Sequence, residues 1–174
     1  MITILRIGHR LDRDNRVSTH CGLVSRALGA DSIVYSGERD DKMMDSVRDV
    51  SSRFGGKFPV SYEESFRKAI KTYKKKKFCI VHLTMYGLLI QKKIGKIRKS
   101  KNILVIVGSE KVPGEVYGMA DYNIAVTNQP HSEIAALSIF LNQCIGKKSL
   151  EKKFSKAKIT VLPCERGKKV IEKK

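Results

Sequence analysis

The chain has 174 residues with 41% hydrophobic side chains, enough for one domain with a full apolar core. Its 35 Lys and Arg stand against 17 Asp and Glu, a formal charge of +18 that exceeds what solubility requires and points to a phosphate-rich partner, nucleic acid above all. No run of 18 apolar residues occurs, the first seven residues are too short and too soon charged for a leader, and Cys21, Cys79, Cys144 and Cys164 form no C-x-x-C pair. A membrane span, a disulfide framework and a zinc cluster are therefore not expected, and a soluble, cytoplasmic protein is.

Ile2 to Ile7 is predicted to be the first strand, and Thr19 to Leu28 a helix stopped by Gly29. The segment before that helix carries Arg10, Arg13 and Arg16 interleaved with Asp12, Asp14 and Asn15, the pattern of a solvated charged loop. A short strand is predicted from Asp31 to Tyr35, then helices over 41–54, closed by Gly55 and Gly56, and over 61–75. Phe78 to Leu83 reads as a buried strand, with a helix after Gly87 that places Leu88, Leu89, Ile90 and Ile94 on one face. Strands are predicted at 102–107 and 122–126, and a last long helix from Pro130 with Ile134, Leu137, Leu141, Cys144 and Ile145 on its apolar stripe. Alternating strands and helices imply an α/β domain over residues 1–146, a mostly parallel sheet flanked by helices. Residues 147–174 form a basic extension of the same domain, in which Ile159 to Leu162 offers one more strand.

Neither phosphate-loop nor dinucleotide glycine patterns occur, so a ligand loop must be sought elsewhere. Two polar blocks come after apolar strands: Gly108, Ser109, Glu110, Lys111, Val112 and Pro113 after one, and Asn128, Gln129, Pro130, His131, Ser132 and Glu133 after the other. Loops at strand ends of an α/β sheet are where ligands bind. The end of the strand at Leu83, with Thr84, Met85, Tyr86 and Gly87 next in the chain, supplies a third wall. Arg16 and Arg26, with His20 between them, are held on or beside the first helix, where a guanidinium can hold a phosphate or a developing alkoxide. No nucleophile triad, carboxylate pair or metal-ligand cluster stands out, and the lysine runs at 74–77, 92–101 and in the tail suit the backbone of folded RNA.

Read together, Arg6-Ile7-Gly8-His9-Arg10, Arg13-Asp14 with Arg16 and Thr19-His20, Arg26-Ala27 with Gly29-Ala30, His82 to Gly87, Gly108 with Glu110 to Pro113, Val116-Tyr117, Ala120 to Asn123 and Asn128 to Glu133 resemble the archaeal tRNA (cytidine(56)-2'-O)-methyltransferases. Pro163 and Glu165 to Lys169 extend the likeness into the tail. The resemblance implies the SPOUT class, with a deep C-terminal trefoil knot, a homodimer, no metal, tRNA as substrate and S-adenosyl-L-methionine as cofactor. Carried over by position, cofactor contacts fall at Leu83, at Gly108, Ser109, Glu110, Lys111 and Val112, and from Val126 and Thr127 through Asn128, Gln129, Pro130, His131 and Ser132 to Glu133. Arg16 is the first choice for stabilising the reacting 2'-oxygen, Arg26 the second, with His20 beside them as orienter or base. A knotted enzyme acting on ribosomal RNA or a base nitrogen, and a non-catalytic RNA-binding protein of the same fold, are the alternatives.

Overall fold

A computed structural model describes residues 1–109 and 111–173. Short runs rich in Ile, Val and Leu become β1 (Ile2–His9), β2 (Ser32–Gly37), β3 (Val60–Tyr62), β4 (Cys79–Leu89), β5 (Ile103–Val107) and β6 (Tyr122–Ala125). They build one six-stranded sheet in the order β3-β2-β1-β5-β4-β6, parallel at every pairing. A parallel sheet must be covered on both faces, and β5 is accordingly buried along its whole length.

The covering helices divide by face. Ile4, Val81 and Val105 look toward α1 (Leu11–Ala27), α2 (Asp41–Phe54), α4 (Ile94–Ile97) and α6 (Glu133–Ile145), where Cys21, Met43, Val47, Ile97, Leu137 and Phe140 pack on them. Leu5, Ile80 and Ile106 look the other way, toward Ile70 of α3 (Phe66–Lys75) and Val116 of α5 (Glu115–Met119). Each fully buried aliphatic side chain contributes about 1.5–3 kcal/mol, so these two clusters supply the main driving force for the fold.

The mostly parallel α/β arrangement is as expected, but several boundaries differ for local reasons. Helix α1 starts at Leu11, not Thr19: Asp12 and Asp14 sit in its first turn against the positive end of the helix dipole, and Arg13 bonds Asp14 at 2.9 Å. Over 61–75 the chain first adds β3 to the sheet edge, with the Tyr62 hydroxyl donating to Gly37 O at 2.7 Å, and α3 begins only after the Ser65 cap. β4 runs on past Leu83, bulges, and rejoins β6 with Leu88 opposite Ile124. Gly87 makes that return possible, since a Cβ there would lie 2.5 Å from the carbonyl carbon of Asn123. Leu88 and Leu89 are therefore strand, and a single 3₁₀ turn over Ile90–Lys92 leads from them into α4. α6 starts at Glu133 and not at Pro130, because Ser132 is the cap and accepts from the Ala135 amide at 3.2 Å. α5 has no sequence signal long enough to be read.

Ile159 to Leu162 is a strand, but it adds nothing to the main sheet. It is β7 (Ile159–Leu162) of an antiparallel hairpin with β8 (Lys169–Glu172). A two-stranded hairpin is marginal alone. This one is tied to the domain by Gly56 N donating to Ser155 O and Lys158 N to Arg53 O, both at 2.9 Å, and by the Arg26 guanidinium 4.1 Å over the Phe154 ring. Among the described residues no helix is long and apolar enough to cross a membrane, and the four cysteines are free.

The bulge predicts a pair of opposite outcomes. Gly87→Ala should lower unfolding free energy by about 1–3 kcal/mol through overpacking against β6. Gly95→Ala, in α4 with open space around the added methyl, should be neutral or stabilising by about 0.5–1 kcal/mol. Urea denaturation of the two variants measures both; equal midpoints would show that the close approach at Gly87 carries no strain.

Candidate active site

Leu83, midway along β4, lies opposite Val107 at the end of β5, and the β4 bulge and the loop leaving β5 open onto one cavity of about 510 Å³. β4 contributes His82, Leu83, Thr84, Met85 and Tyr86; β5 and its loop contribute Val107, Gly108, Ser109, Lys111 and Val112; Tyr117 of α5 and His131, Glu133 and Ala136 around the start of α6 complete the lining. The β5 loop folds back on itself at Gly108, where a methyl group would run into the Val112 side chain. Gly108 is thus held close to its own loop, with its carbonyl free to accept.

That carbonyl accepts from the Arg6 guanidinium, which lies inside β1 with none of its side chain exposed. Arg6 also reaches Glu133 Oε1 and the Ser18 hydroxyl, each at 3.4 Å. Ser18 in turn meets His9 Nδ1 at 2.9 Å, and His9 Nε2 stands 3.5 Å from Asp40 Oδ2. Burial pushes the Asp40 carboxyl up, yet the Met43 amide, the Asn15 amide and His9 outweigh it and leave its pKa below the ordinary value.

On the opposite wall the Asn128 amide donates to Met85 O at 2.6 Å and Gly87 O at 3.1 Å, tying the loop before α6 to the β4 bulge. His82 pairs through Nδ1 with Asn123 Oδ1 at 2.9 Å, while the Asn123 amide nitrogen donates to Tyr117 O at 3.0 Å. This orientation makes Nδ1 the donor and leaves Nε2 a buried acceptor with no partner. Burial lowers the His82 pKa, with the Asn123 bond acting in the other direction, so the ring is neutral near pH 7. Tyr117 meets the His82 ring edge-on at 4.8 Å, and its hydroxyl pairs with Thr84 Oγ1 at 3.1 Å.

Of the positions named from sequence, Leu83, Gly108, Ser109, Lys111, Val112, His131 and Glu133 come together in this cavity. Val126, Thr127, Asn128, Gln129, Pro130 and Ser132 are not on its lining. They shape it from behind: Val126 packs on the core, Thr127 Oγ1 accepts from the Gln129 amide at 3.3 Å, and Ser132 caps α6. Glu110 lies outside the described residues. His82, Val107, Tyr117 and Ala136 are lining residues that sequence patterning does not single out; Tyr117 sits on the short helix α5. Arg16 and His20 are exposed on α1 and do not reach this chain's cavity. Arg26 is turned away altogether, with Nη2 donating to Gly55 O at 2.6 Å and its ring contact on Phe154. Among the described residues no three His, Cys, Asp or Glu gather as a metal site.

Residues 54–171, which carry all three loops, match the family model described as tRNA ribose 2'-O-methyltransferase, aTrm56. The chain belongs to the aTrm56 family. A relative from Thermococcus kodakarensis called tRNA (cytidine(56)-2'-O)-methyltransferase is 48% identical over 99% of this chain and 97% of its own. Among solved structures, the "TrmH/SpoU tRNA modifying enzyme" of A. aeolicus superposes with a TM-score of 0.63 at 13% identity, over 86% of this chain and 76% of that one. The "SpoU Methyltransferase AviRb" of Streptomyces viridochromogenes, described as a complex with the cofactor AdoMet, gives a TM-score of 0.61 at 14% identity over 83% of this chain. The present chain spans 56% of that longer protein. At such identities these structures show the shared SpoU-type fold of this aTrm56 family member.

His82 sets a pH signature on this fold. Its folded pKa lies below the ordinary 6.5, so the unfolded chain takes up the proton first as pH falls. The His82 contribution is complete above about pH 6.5 and lost progressively below it, down through the folded pKa. The drop in urea stability between about pH 7.5 and 5.5 should be smaller in His82→Gln than in the parent chain; identical slopes would mean that His82 titrates alike in the folded and unfolded chains.

Proposed function

We propose that this chain transfers a methyl group from S-adenosylmethionine to the ribose 2'-oxygen of cytidine 56 in the T loop of tRNA. One observation carries the reading: the β4 bulge, the loop that leaves β5 and the one that leads into α6 are brought around one cavity of about 510 Å³, in a chain of the aTrm56 family. That volume suits a small organic cofactor. The cavity also fits such a ligand chemically, with an apolar floor of Leu83, Val107 and Ala136, buried acceptors on His82 and His131, and a carboxylate on Glu133. The bound cofactor supplies an electrophilic methyl on a cationic sulfur. Everything else falls to the protein.

A ribose hydroxyl is a poor nucleophile near neutral pH, so a protein group must accept its proton or stabilise the oxyanion. Arg16 is assigned that role, with His20 one helical turn further along as orienter or base. Neither reaches its own chain's cavity, which supports an active site shared across a homodimer. Arg16, His20, Val24 and Ala27 lie on one stripe of α1. The stripe runs into an apolar groove of about 480 Å³ between α1 and α6, lined by Val24, Leu28, Ile139 and Leu150, with Leu150 71% exposed. A two-fold dimer on this face would cover the groove and bring Arg16 of each subunit toward the other's cavity. Arg26 is assigned to holding the C-terminal hairpin. The reading further includes one SPOUT domain over 1–146 with its deep trefoil knot, a packed basic extension over 147–174, no metal, and a cytoplasmic site of action alongside tRNA. The return of α6 from edge strand β6 to pack on α1 supports the knot.

Two experiments test this. Arg16→Ala should lower methyl transfer to unmodified tRNA by about 100-fold or more while leaving calorimetric cofactor binding unchanged. Transfer at the parental rate would remove Arg16 from the chemistry, and absence of cofactor binding by the parent chain at millimolar concentration would overturn the whole assignment. Mapping the methylated nucleotide separates cytidine 56 from a ribosomal or base-nitrogen target.

The second concerns docking. α3 presents Lys71 and Lys75 one turn apart along a groove of about 520 Å³, with Arg67 paired to Glu115 and Lys68 to Glu63 beside them. α3 and α5 share the face of the sheet that carries His82, so this cationic rail lies on the His82 side of the sheet. Lys71→Glu with Lys75→Glu should weaken tRNA binding and flatten its salt dependence by about one unit of slope for each phosphate no longer neutralised. Cofactor affinity should not change. An unaltered salt slope would place the tRNA backbone elsewhere.

A further inference from the structure

Arg6 is a charged side chain at the middle of a parallel sheet, and nothing in strand formation asks for one there. Its neighbours along β1 and across the sheet, Ile4, Val105 and Val107, are apolar and fully buried. The guanidinium divides its nitrogens among three separate elements: Nη1 on Gly108 O in the β5 loop, Nη2 on Glu133 Oε1 in the first turn of α6, and Nε on Ser18 Oγ in α1. Gly108 and Glu133 both line the cavity, on walls well separated in sequence, and the Glu133 side chain is 33% exposed. Among the described lining residues Glu133 is the one carboxylate.

We propose that Arg6 is a positioning residue for the cofactor cavity: its fork fixes the distance between the Gly108 loop and the start of α6 and holds the Glu133 carboxylate where a cationic ligand meets it. The geometry needs a planar fork. A lysine supplies the charge from a single nitrogen and cannot hold Gly108 O, Glu133 Oε1 and Ser18 Oγ at once. Ser18 is itself held from the other side by His9, so the fork is anchored on a long helix and acts on the two walls that are hardest to fix, a loop and a helix end. The inference rests on the cofactor reading above and adds a residue that does not touch the ligand.

The test uses the full chain and S-adenosylmethionine. Arg6→Lys should fold, raise the calorimetric Kd for the cofactor by about tenfold or more, and raise the cofactor KM in parallel. With saturating cofactor, kcat and the KM for tRNA should stay within about threefold, a split that general destabilisation does not produce. Arg6→Met is the companion, since Glu133 is exposed enough to be solvated once its partner is gone; it should show the same fall in cofactor affinity. In a Glu133→Gln background the effect of Arg6→Lys should shrink, because part of it acts through that carboxylate. A folded Arg6→Lys or Arg6→Met with the parental Kd overturns the proposal, as does failure of both variants to fold, which would assign Arg6 to the fold alone. Failure of the parent chain to bind the cofactor would instead strike the cofactor reading itself.

Discussion

The burial of one guanidinium in the centre of the sheet constrains most of what surrounds it. Moving a charge out of water costs several kcal/mol unless it is paired and its donors are satisfied. Arg6 meets that demand only when α6 packs on α1 with Glu133 in place, the β5 loop turns its Gly108 carbonyl inward, and α1 lays Ser18 against the strand. The demand propagates outward through Ser18 to His9 and Asp40, and Asp40 caps α2 by accepting from Met43 N at 2.8 Å. One buried charge thus sets the mutual placement of three helices and a loop, which apolar contacts alone would leave free to slide.

The cavity is a consequence of strand order as much as of that network. β4 lies between β5 and β6, so its bulge and the loops leaving β5 and β6 emerge together although they are far apart in sequence. The bulge in β4 then carries the chain away from β6 after Leu83 and back again at Leu88, and the carbonyls exposed in between are taken up by Asn128. A straight strand would have closed the space that Thr84, Met85 and Tyr86 now line. The same side chain that satisfies the bulge also fixes the loop leading to α6, so the second and third walls are coupled.

Much of this is legible from residue patterns, and the exceptions have physical causes. Apolar runs locate β1, β4, β5 and β6, and polar blocks after them locate the loops, because burial and turn chemistry are local properties. Helix α1 reads too short because its first two turns are charged, and a charged helix N-terminus looks like a solvated loop until the pairing of Asp14 with Arg13 is known. β4 reads too short because only the backbone of Asn123, distant in sequence, explains Gly87. Arg6 stands in the first of the family-like motifs, yet nothing in its position along an alternating strand says that Glu133 will arrive opposite it. Contacts between residues so far apart in the chain are set by topology, which no periodicity encodes.

Three arginines make the same point about function. Arg6, Arg16 and Arg26 are chemically identical, and by type alone each is suited to a phosphate or an oxyanion. Burial separates them. Arg6 has its donors committed between β1, the β5 loop and two helices, and Arg26 is committed to Gly55 O and the Phe154 ring, where burial lowers its pKa. Neither can turn to a substrate without leaving a buried acceptor unpaired, at a cost of about 1–3 kcal/mol per group. Arg16 stands exposed on the α1 stripe that runs into the apolar groove against α6, so it alone of the three is free to be recruited by whatever covers that face. The division among them follows from where the fold buries charge: Arg6 is committed between the walls of the cavity, Arg26 to the C-terminal hairpin, and Arg16 is left exposed, as the role proposed for it requires.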